Sequence, residues 1–368
     1  MKICFVTTGD VSVMATMKRS TGMAESLIRL GNVVSIIALD CPANRERFSY
    51  ECPNAKILYF SKASVTREQQ QKKDLLHLEA PDLVYVASLG FRNWLHRFNI
   101  NTPNTRCVVE HSELTSSIKN FSHSRRWAYR FLEFLCPFIY DGQVVASKYL
   151  YNHFLNSILT KGAEKILYSP YAFNKNILVL DKVKLRSLRE EYKGQKVVLY
   201  MGTLRGNYGF FDLIEAAIIL KKQNINLRLL VIGGGSHKDL GMAMVKKKKL
   251  DKVVKFLGYV QEEDLGMYFK IADVFVSPLY NTTQDWARCP GKLFMYYPFN
   301  RPIVTCRVGE ALELLPDNEY FYNEGSASDM ADKIQKGLDS NIVISRCDVS
   351  QHEWKARSQD LITWSQKL

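Results

Sequence analysis

Val197-Val198-Leu199-Tyr200-Met201-Gly202-Thr203-Leu204-Arg205-Gly206 is a short apolar run that ends in a glycine loop. Its reading spreads outward. Residues 211–222 predict a helix, and residues 228–232 predict a second strand ending at Gly233-Gly234-Gly235. Runs at 253–256, Val274–Ser277 and 303–306 continue the series. The first half alternates in the same way. Residues 2–8 read as a buried strand. Residues 22–30 read as a helix with Met23, Leu27 and Leu30 on one face. Strand-like runs follow at Val33–Leu39, at Leu83–Val86 behind the breaker pair Pro81-Asp82, at 107–109 and at 142–146. Strands alternating with helices imply βαβ units and a parallel, doubly wound sheet. A polar, basic stretch over residues 168–195, opening at Ser169-Pro170, interrupts the alternation and marks a boundary between two such domains.

Length agrees, because 368 residues exceed what one core of roughly 250–300 residues sustains. With 46% apolar and 24% charged residues, the composition is that of a globular chain rather than a disordered or collagen-like one. No run approaches the roughly 18–20 apolar residues of a membrane-spanning helix. The apolar part of MKICFVTTGD is too short for a signal peptide. The eight cysteines (Cys4, Cys41, Cys52, Cys107, Cys136, Cys289, Cys306, Cys347) are scattered without C-x-x-C spacing. Free thiols in a cytosolic protein, with no structural zinc, are the expectation. The net charge is +13, of which residues 1–170 hold +7 (21 basic, 14 acidic), so no single basic tail carries it. Such an excess suits anionic partners; a nucleic-acid reading would rest on charge alone, and no nucleic acid is expected.

Ligands of open α/β sheets sit beyond the carboxyl ends of the strands. Three signals stand there in the second half. The loop from Gly202 to Gly206 precedes a helix, whose N-terminal N–H groups suit a phosphate; it reads equally as an ordinary βα turn. Gly233-Gly234-Gly235 permits close approach to a diphosphate, and the chain has no G-x-G-x-x-G fingerprint of a dinucleotide oxidoreductase. In Arg288-Cys289-Pro290-Gly291-Lys292-Leu293-Phe294, Lys292 falls in the first turn of an apolar helix. A cation there opposes the helix dipole, so it either meets an anion or is solvated. In the first half, Val108-Val109-Glu110-His111-Ser112-Glu113 closes a strand with an ionisable cluster. His111 can polarise a substrate oxygen from that position, or serve structurally. No second His or Cys stands at metal-ligand spacing.

Residues 114–132 carry Lys119, Arg125, Arg126 and Arg130 and no acid, and Trp127, Phe131, Phe134, Leu135 and Phe138 recur at helical spacing. Two readings stand. One is a core-facing helix with a solvated basic face. The other is a membrane contact through Arg125, Arg126, Trp127 and Arg130 on an anionic surface. The run Lys246, Lys247, Lys248 and Lys249 reads first as a solvated helix face and second as a membrane contact.

The order of motifs resembles a retaining GT-B glycosyltransferase of glycosyltransferase family 4, over nearly the whole chain. Met23-Ala24-Glu25-Ser26-Leu27 through Gly31 and Val34 is similar to the family's first helix and its exit into strand two. Ala80-Pro81-Asp82-Leu83-Val84, Glu110-x-Ser112 around His111, and Val145-Ala146-Ser147 follow its strands. Ser169-Pro170-Tyr171-Ala172-Phe173 stands at its interdomain crossing. Phe256-Leu257-Gly258-Tyr259-Val260, Ala272-Asp273-Val274-Phe275-Val276-Ser277-Pro278, Pro290-Gly291-Lys292-Leu293-Phe294-x-Tyr296 and Arg301-Pro302-Ile303-Val304 complete the donor half. His352-Glu353-Trp354 through Leu361 resembles the last helix, which in this fold crosses back to the N-terminal domain.

The resemblance implies an α/β GT-B architecture of two Rossmann-like, doubly wound domains facing a central cleft. Residues 1–170 form the acceptor side, 171–350 bind the nucleotide sugar, and 351–368 cross back. It implies transfer of a sugar from a UDP- or GDP-linked donor to the hydroxyl of a glycan or lipid-linked acceptor. Anomeric configuration would be retained and no metal required, in cell-surface polysaccharide or glycolipid synthesis. The protein would be cytoplasmic, peripheral on the inner face of the membrane. His111 would touch the transferred sugar. Gly202, Thr203, Arg205 and Lys292 would hold the diphosphate. Gly234, Gly258, Tyr259 and Met295 would meet the nucleotide. The family's carboxylate pair is absent: Ala287 and Met295 stand at its two positions, and Asp285 is the nearest substitute acid. Thr203 and Tyr208 replace an Arg and a Lys of many members, and no glycine lies between Asp10 and Thr21. These departures keep a second reading in view, a degenerate GT-B protein that binds a glycan or protein partner without catalysis.

Overall fold

Two parallel sheets organise the chain. The computed structural model describes residues 1–11, 17–100, 104–160, 162–206, 209–223, 226–340, 344–346 and 348–368. These divide into one unit of Met1–Ala172, Trp286–Cys289 and Ser350–Leu368, and a second of Phe173–Asp285 and Pro290–Val349.

The first unit holds seven strands among the described residues: β1 (Lys2–Val6), β2 (Val33–Leu39), β3 (Lys56–Phe60), β4 (Leu83–Val86), β5 (Arg106–His111), β6 (Gly142–Val145) and β7 (Ile166–Tyr168). Their order is β3-β2-β1-β4-β5-β6-β7, and every pairing is parallel. The central strands are buried on both faces, which is why they read as unbroken apolar runs. The sequence reading passed over β3 and β7, the two edge strands. β3 is mostly half-buried and β7 has three residues, so neither carries a continuous apolar signal.

Helix His123–Ile139 sends Tyr129, Leu132, Cys136 and Ile139 into the core cluster that also holds Cys4, Val84 and Cys107 of the sheet. Ser122 caps it by accepting the Arg125 N–H. This phase corrects the core-facing reading of the aromatic row. Trp127, Phe131, Phe134 and Phe138 lie on the opposite side, exposed, because Tyr129, Leu132, Cys136 and Ile139 already fill the stripe that meets the sheet.

The last helix, Trp354–Ser365, belongs to this unit. A Cβ on Gly22 of helix Met17–Arg29 would meet the Trp354 ring at 2.4 Å, and one on Gly142 would meet Trp364 at 2.6 Å. Arg106 donates to the Ser365 carbonyl at 2.6 Å, and Trp364 Nε1 to the Glu164 carbonyl at 2.7 Å. Residues 286–289 also lie here. Ser147 Oγ donates to the Ala287 carbonyl at 2.6 Å, and Ala287 is buried among Val145, Leu150 and Phe154.

The second unit has β8 (Lys196–Met201), β9 (Leu227–Ile232), β10 (Val254–Gly258), β11 (Val274–Ser277) and β12 (Ile303–Thr305), in the order β10-β9-β8-β11-β12, all parallel. The strand order reverses between β8 and β11, the switch point beside which such sheets bind ligands. Of the cysteines, those in and beside strands (Cys4, Cys107, Cys306) are buried, and burial pushes the Cys4 thiol up to about 12. Cys347 lies outside the described residues.

Candidate functional site

In the second unit, three strand ends are knitted together by backbone. Gly202 N–H donates to the Ile232 carbonyl at 3.0 Å, Leu204 N–H to the Gly234 carbonyl at 2.9 Å, and Gly233 N–H to the Gly258 carbonyl at 2.7 Å. Glycine makes this closeness possible. Gly233 has φ +118°, and a Cβ on it would lie 2.2 Å from the Gly202 carbonyl oxygen. Leu204 is buried and anchors the loop, leaving Thr203 and Arg205 exposed on either side.

His237 clamps the same loop. Its N–H donates to the Leu204 carbonyl at 3.0 Å, and its Nδ1 accepts the Gly206 N–H at 3.0 Å. An accepting Nδ1 carries no proton, which sets the tautomer.

Lys292 reaches this place from helix Gly291–Tyr296. Its Nζ stands 4.5 Å above the centroid of the Tyr200 ring and 3.2 Å from where a Gly202 Cβ would be. The Tyr200 hydroxyl donates to the Thr203 carbonyl at 3.3 Å, so one buried tyrosine supports both the lysine and the loop. Tyr296, four residues on, fixes the helix. Its hydroxyl accepts the Met201 N–H at 2.8 Å, and its ring stacks on Phe275 with centroids 4.3 Å apart.

Gly202, Gly234, Gly258 and Lys292 are therefore brought together at the carboxyl ends of β8, β9 and β10, with Thr203 and Arg205 on the same loop. Tyr259 follows Gly258 and is exposed. Met295 is buried within the short helix of Lys292. Asp285 is buried in its own turn, where its carboxylate accepts the Tyr280 N–H at 2.8 Å. The Tyr280 hydroxyl in turn donates to Asp212 at 2.6 Å. Tyr208 falls outside the described residues, as do residues 12–16 of the loop after β1.

In the first unit, His111 ends β5. It is 3% exposed, its ring lies 4.2 Å from that of Phe154, and its Nε2 has no hydrogen-bond partner among the described residues. Burial, with the nearby His153, pushes its imidazole down to about 3. The ring is thus neutral at physiological pH and offers a hydrogen bond rather than a charge. Ser88 and Leu89, beyond β4, join residues 110–113 around a small recess at this strand end.

Beside it, Glu110 takes part in a buried ion pair. Arg19 Nε donates to it at 2.9 Å and the Tyr85 hydroxyl at 3.1 Å, while the other guanidinium nitrogens donate to Ser169 Oγ at 3.0 Å and its carbonyl at 2.7 Å. Tyr171 and Trp354 flank the guanidinium. Burial pushes the Glu110 carboxyl up, and Arg19 opposes it. Sequence reasoning missed Arg19, Tyr200, His237 and Tyr296. Each acts through a partner distant in the chain, and only the position of Tyr296, four residues from Lys292 on one helix face, left a trace in the sequence.

Comparison with known proteins gives a consistent picture. Residues 181–354 match the family Glycosyl transferases group 1. The alpha-monoglucosyldiacylglycerol synthase of Acholeplasma laidlawii is 36% identical over 73 residues, 20% of this chain and 18% of that enzyme. An uncharacterized glycosyltransferase of Methanocaldococcus jannaschii is 23% identical over 289 residues, 70% of this chain and 68% of its own. The chain thus spans about a fifth of the first relative and about two thirds of the second. Among solved structures, HepE of Anabaena in complex with UDP and glucose superposes with a TM-score of 0.72 at 15% identity, covering 100% of this chain and 95% of that one. The fold is GT-B, and residues 181–354 are the segment that matches the group 1 glycosyl transferase family.

Proposed function

We propose that this GT-B chain is a glycosyltransferase that moves a sugar from a nucleotide-diphosphate donor to an acceptor hydroxyl. The observation that carries the reading is the convergence of Gly202, Gly234 and Gly258 backbone with the Lys292 ammonium at the strand ends beside the switch point. Close backbone approach and a cation are what a diphosphate requires. As the sugar–phosphate bond breaks, negative charge grows on the departing phosphate. Lys292 and backbone N–H groups meet that charge, and we assign no metal to the step. In the retaining course we favour, the departing phosphate oxygen takes the acceptor proton as the new glycosidic bond forms on the same face. No side-chain base is then needed. His111, neutral and with Nε2 unengaged among the described residues, is assigned to a hydroxyl of the transferred sugar.

UDP is the first donor nucleotide to test, since a structural neighbour of this fold holds it, and GDP is the second. The acceptor we favour is a glycolipid or a surface polysaccharide, in line with the name of the Acholeplasma relative. A cytoplasmic, membrane-peripheral location fits that acceptor and the lack of a disulfide among the described cysteines. One observation favours the second reading, a non-catalytic binder. Ala287 is buried in the first unit, Met295 is apolar, and Asp285 is engaged within its own turn, so neither position of the usual carboxylate pair supplies an acid. Calorimetry with UDP and GDP, followed by turnover of UDP- and GDP-sugars, decides between them. Binding and turnover that Lys292→Ala lowers by about 100-fold support transfer. Nucleotide binding without turnover of any donor supports the binder, and failure of both nucleotides to bind removes the donor site.

A further inference from the structure

Helix His123–Ile139 buries one stripe and leaves another bare. Trp127, Phe131, Phe134 and Phe138 recur at intervals of four, three and four residues, so they stand in one row. They are 65%, 60%, 43% and 47% exposed. Phe98, 59% exposed, extends the row, with its ring 5.8 Å from that of Phe138. Isolated exposed rings are ordinary; five in one row form a contiguous apolar patch of the kind that marks an interaction surface.

The rim of this row is cationic. The Arg130 guanidinium lies 5.0 Å from the Trp127 ring centroid, and that of Arg97 lies 4.7 Å from Phe98 while pairing with Asp141 at 3.3 Å. Arg125 is exposed but lies over Phe121 and the buried Tyr129, away from the row. Lys119 is exposed nearby in the chain. The helix has one acid, Glu133, and it points inward, accepting the Ser116 N–H at 3.0 Å. Arg126 is turned partly the same way, its Nε donating to the Ser116 carbonyl at 3.1 Å. That corrects its expected place among the outward cations.

We infer that this aromatic row seats in the interfacial layer of an anionic phospholipid membrane, with its rings among the upper acyl segments and Arg130 at a headgroup phosphate. The eleven-residue span from Trp127 to Phe138 rises about 16 Å, a length that lies along a bilayer face. No described helix is long and apolar enough to cross one. A second copy of the chain fits less well, because it would bring the same Arg130, and the acid beside the row, Asp141, is already paired with Arg97. Anionic headgroups supply the missing charge, and rings and arginines together give the two contributions that stable interfacial binding needs.

This goes beyond sugar transfer, and its test uses neither donor nor acceptor, so the two fail separately. The full chain is floated with vesicles of phosphatidylcholine alone, or of phosphatidylcholine mixed with phosphatidylglycerol. Wild type floats with the mixed vesicles. Trp127→Ser/Phe131→Ser/Phe134→Ser lowers its partition by about tenfold or more at both low and high salt. Arg130→Gln lowers it at low salt and matches wild type at high salt. A thermal melt checks folding, and Phe131→Ser alone replaces the triple variant if that melts early. The emission difference between wild type and Trp127→Phe shifts to the blue on adding mixed vesicles. Three results overturn the inference: wild type that ignores vesicles, ring variants that float as wild type does, and a concentration-dependent dimer lost in the ring variant, which gives the row to a second copy.

Discussion

Gly233→Ala tests the donor loops where backbone meets backbone. A Cβ there would lie 2.2 Å from the Gly202 carbonyl oxygen, at φ +118°. Ordinary contact starts near 3.4 Å, so the loops must part by roughly 1 Å, and a carbonyl cannot rotate aside as a side chain does. Positive φ on an L-residue costs about 1–2 kcal/mol. Weakening the bonds from Gly202 N–H to Ile232 and from Gly233 N–H to Gly258 costs about 1 kcal/mol each. The total is about 3–4 kcal/mol, a fall in Tm of about 6–16 °C. A 1 Å displacement of positioning groups costs up to about 100-fold in a reaction. Gly234→Ala is the control: nothing lies within 4 Å of its Cβ, and a change within about 0.5 kcal/mol is expected. Thermal melts and calorimetric titration with UDP and GDP read both effects. If Gly233→Ala melts early yet binds nucleotide as wild type does, the glycine loops are not the donor seat.

Three further outcomes follow from the geometry. Arg19→Met strands the buried Glu110 carboxylate and is expected to cost about 3–5 kcal/mol in denaturant unfolding, most of it recovered in Arg19→Met/Glu110→Gln; no recovery in the double variant would refute the pairing argument. His111 titrates near 3 in the folded chain against 6.5 unfolded, so the unfolded state binds the extra proton between those values and stability falls as pH drops below 6.5. Between pH 6.5 and 5 this removes about 2 kcal/mol, and unfolding of His111→Gln at the two pH values should show a loss smaller by that amount. His237→Ala removes the acceptor of the Gly206 N–H and is expected to raise the KM for donor about tenfold with kcat little changed, while His237→Asn restores part of the loss; an unchanged KM in His237→Ala would show that the clamp is dispensable.

The strands that decide the fold were readable because they are buried on both faces. Val33–Leu39, Leu83–Val86 and Val274–Ser277 begin and end where their apolar runs do. The edge strands Lys56–Phe60 and Ile166–Tyr168 escaped because half-burial and brevity erase that signal. The aromatic row of His123–Ile139 was seen, but its direction was not. Periodicity reports that residues share a face, and the competing stripe of Tyr129, Leu132, Cys136 and Ile139 decides which face meets the sheet. At the site, glycines after strands and a lysine in a first helical turn carry local meaning. Tyr200 beneath Lys292, His237 beneath Gly206 and Arg19 beside Glu110 do not, because each role exists only after distant segments have met.

The first unit is made of segments from both ends of the chain, and that has a cost in time. Helix Met17–Arg29 leaves the ribosome about 330 residues ahead of Trp354, which packs on its Gly22. At ordinary elongation rates the gap is roughly 20 to 70 seconds. Through that interval the nascent N-terminal sheet lacks one of its covers, and the second unit's chain is complete at Val349, just before that cover emerges. The earlier-made unit is therefore expected to await its final helix until the later-made unit's chain is out. Chaperone occupancy during translation should concentrate on the N-terminal sheet.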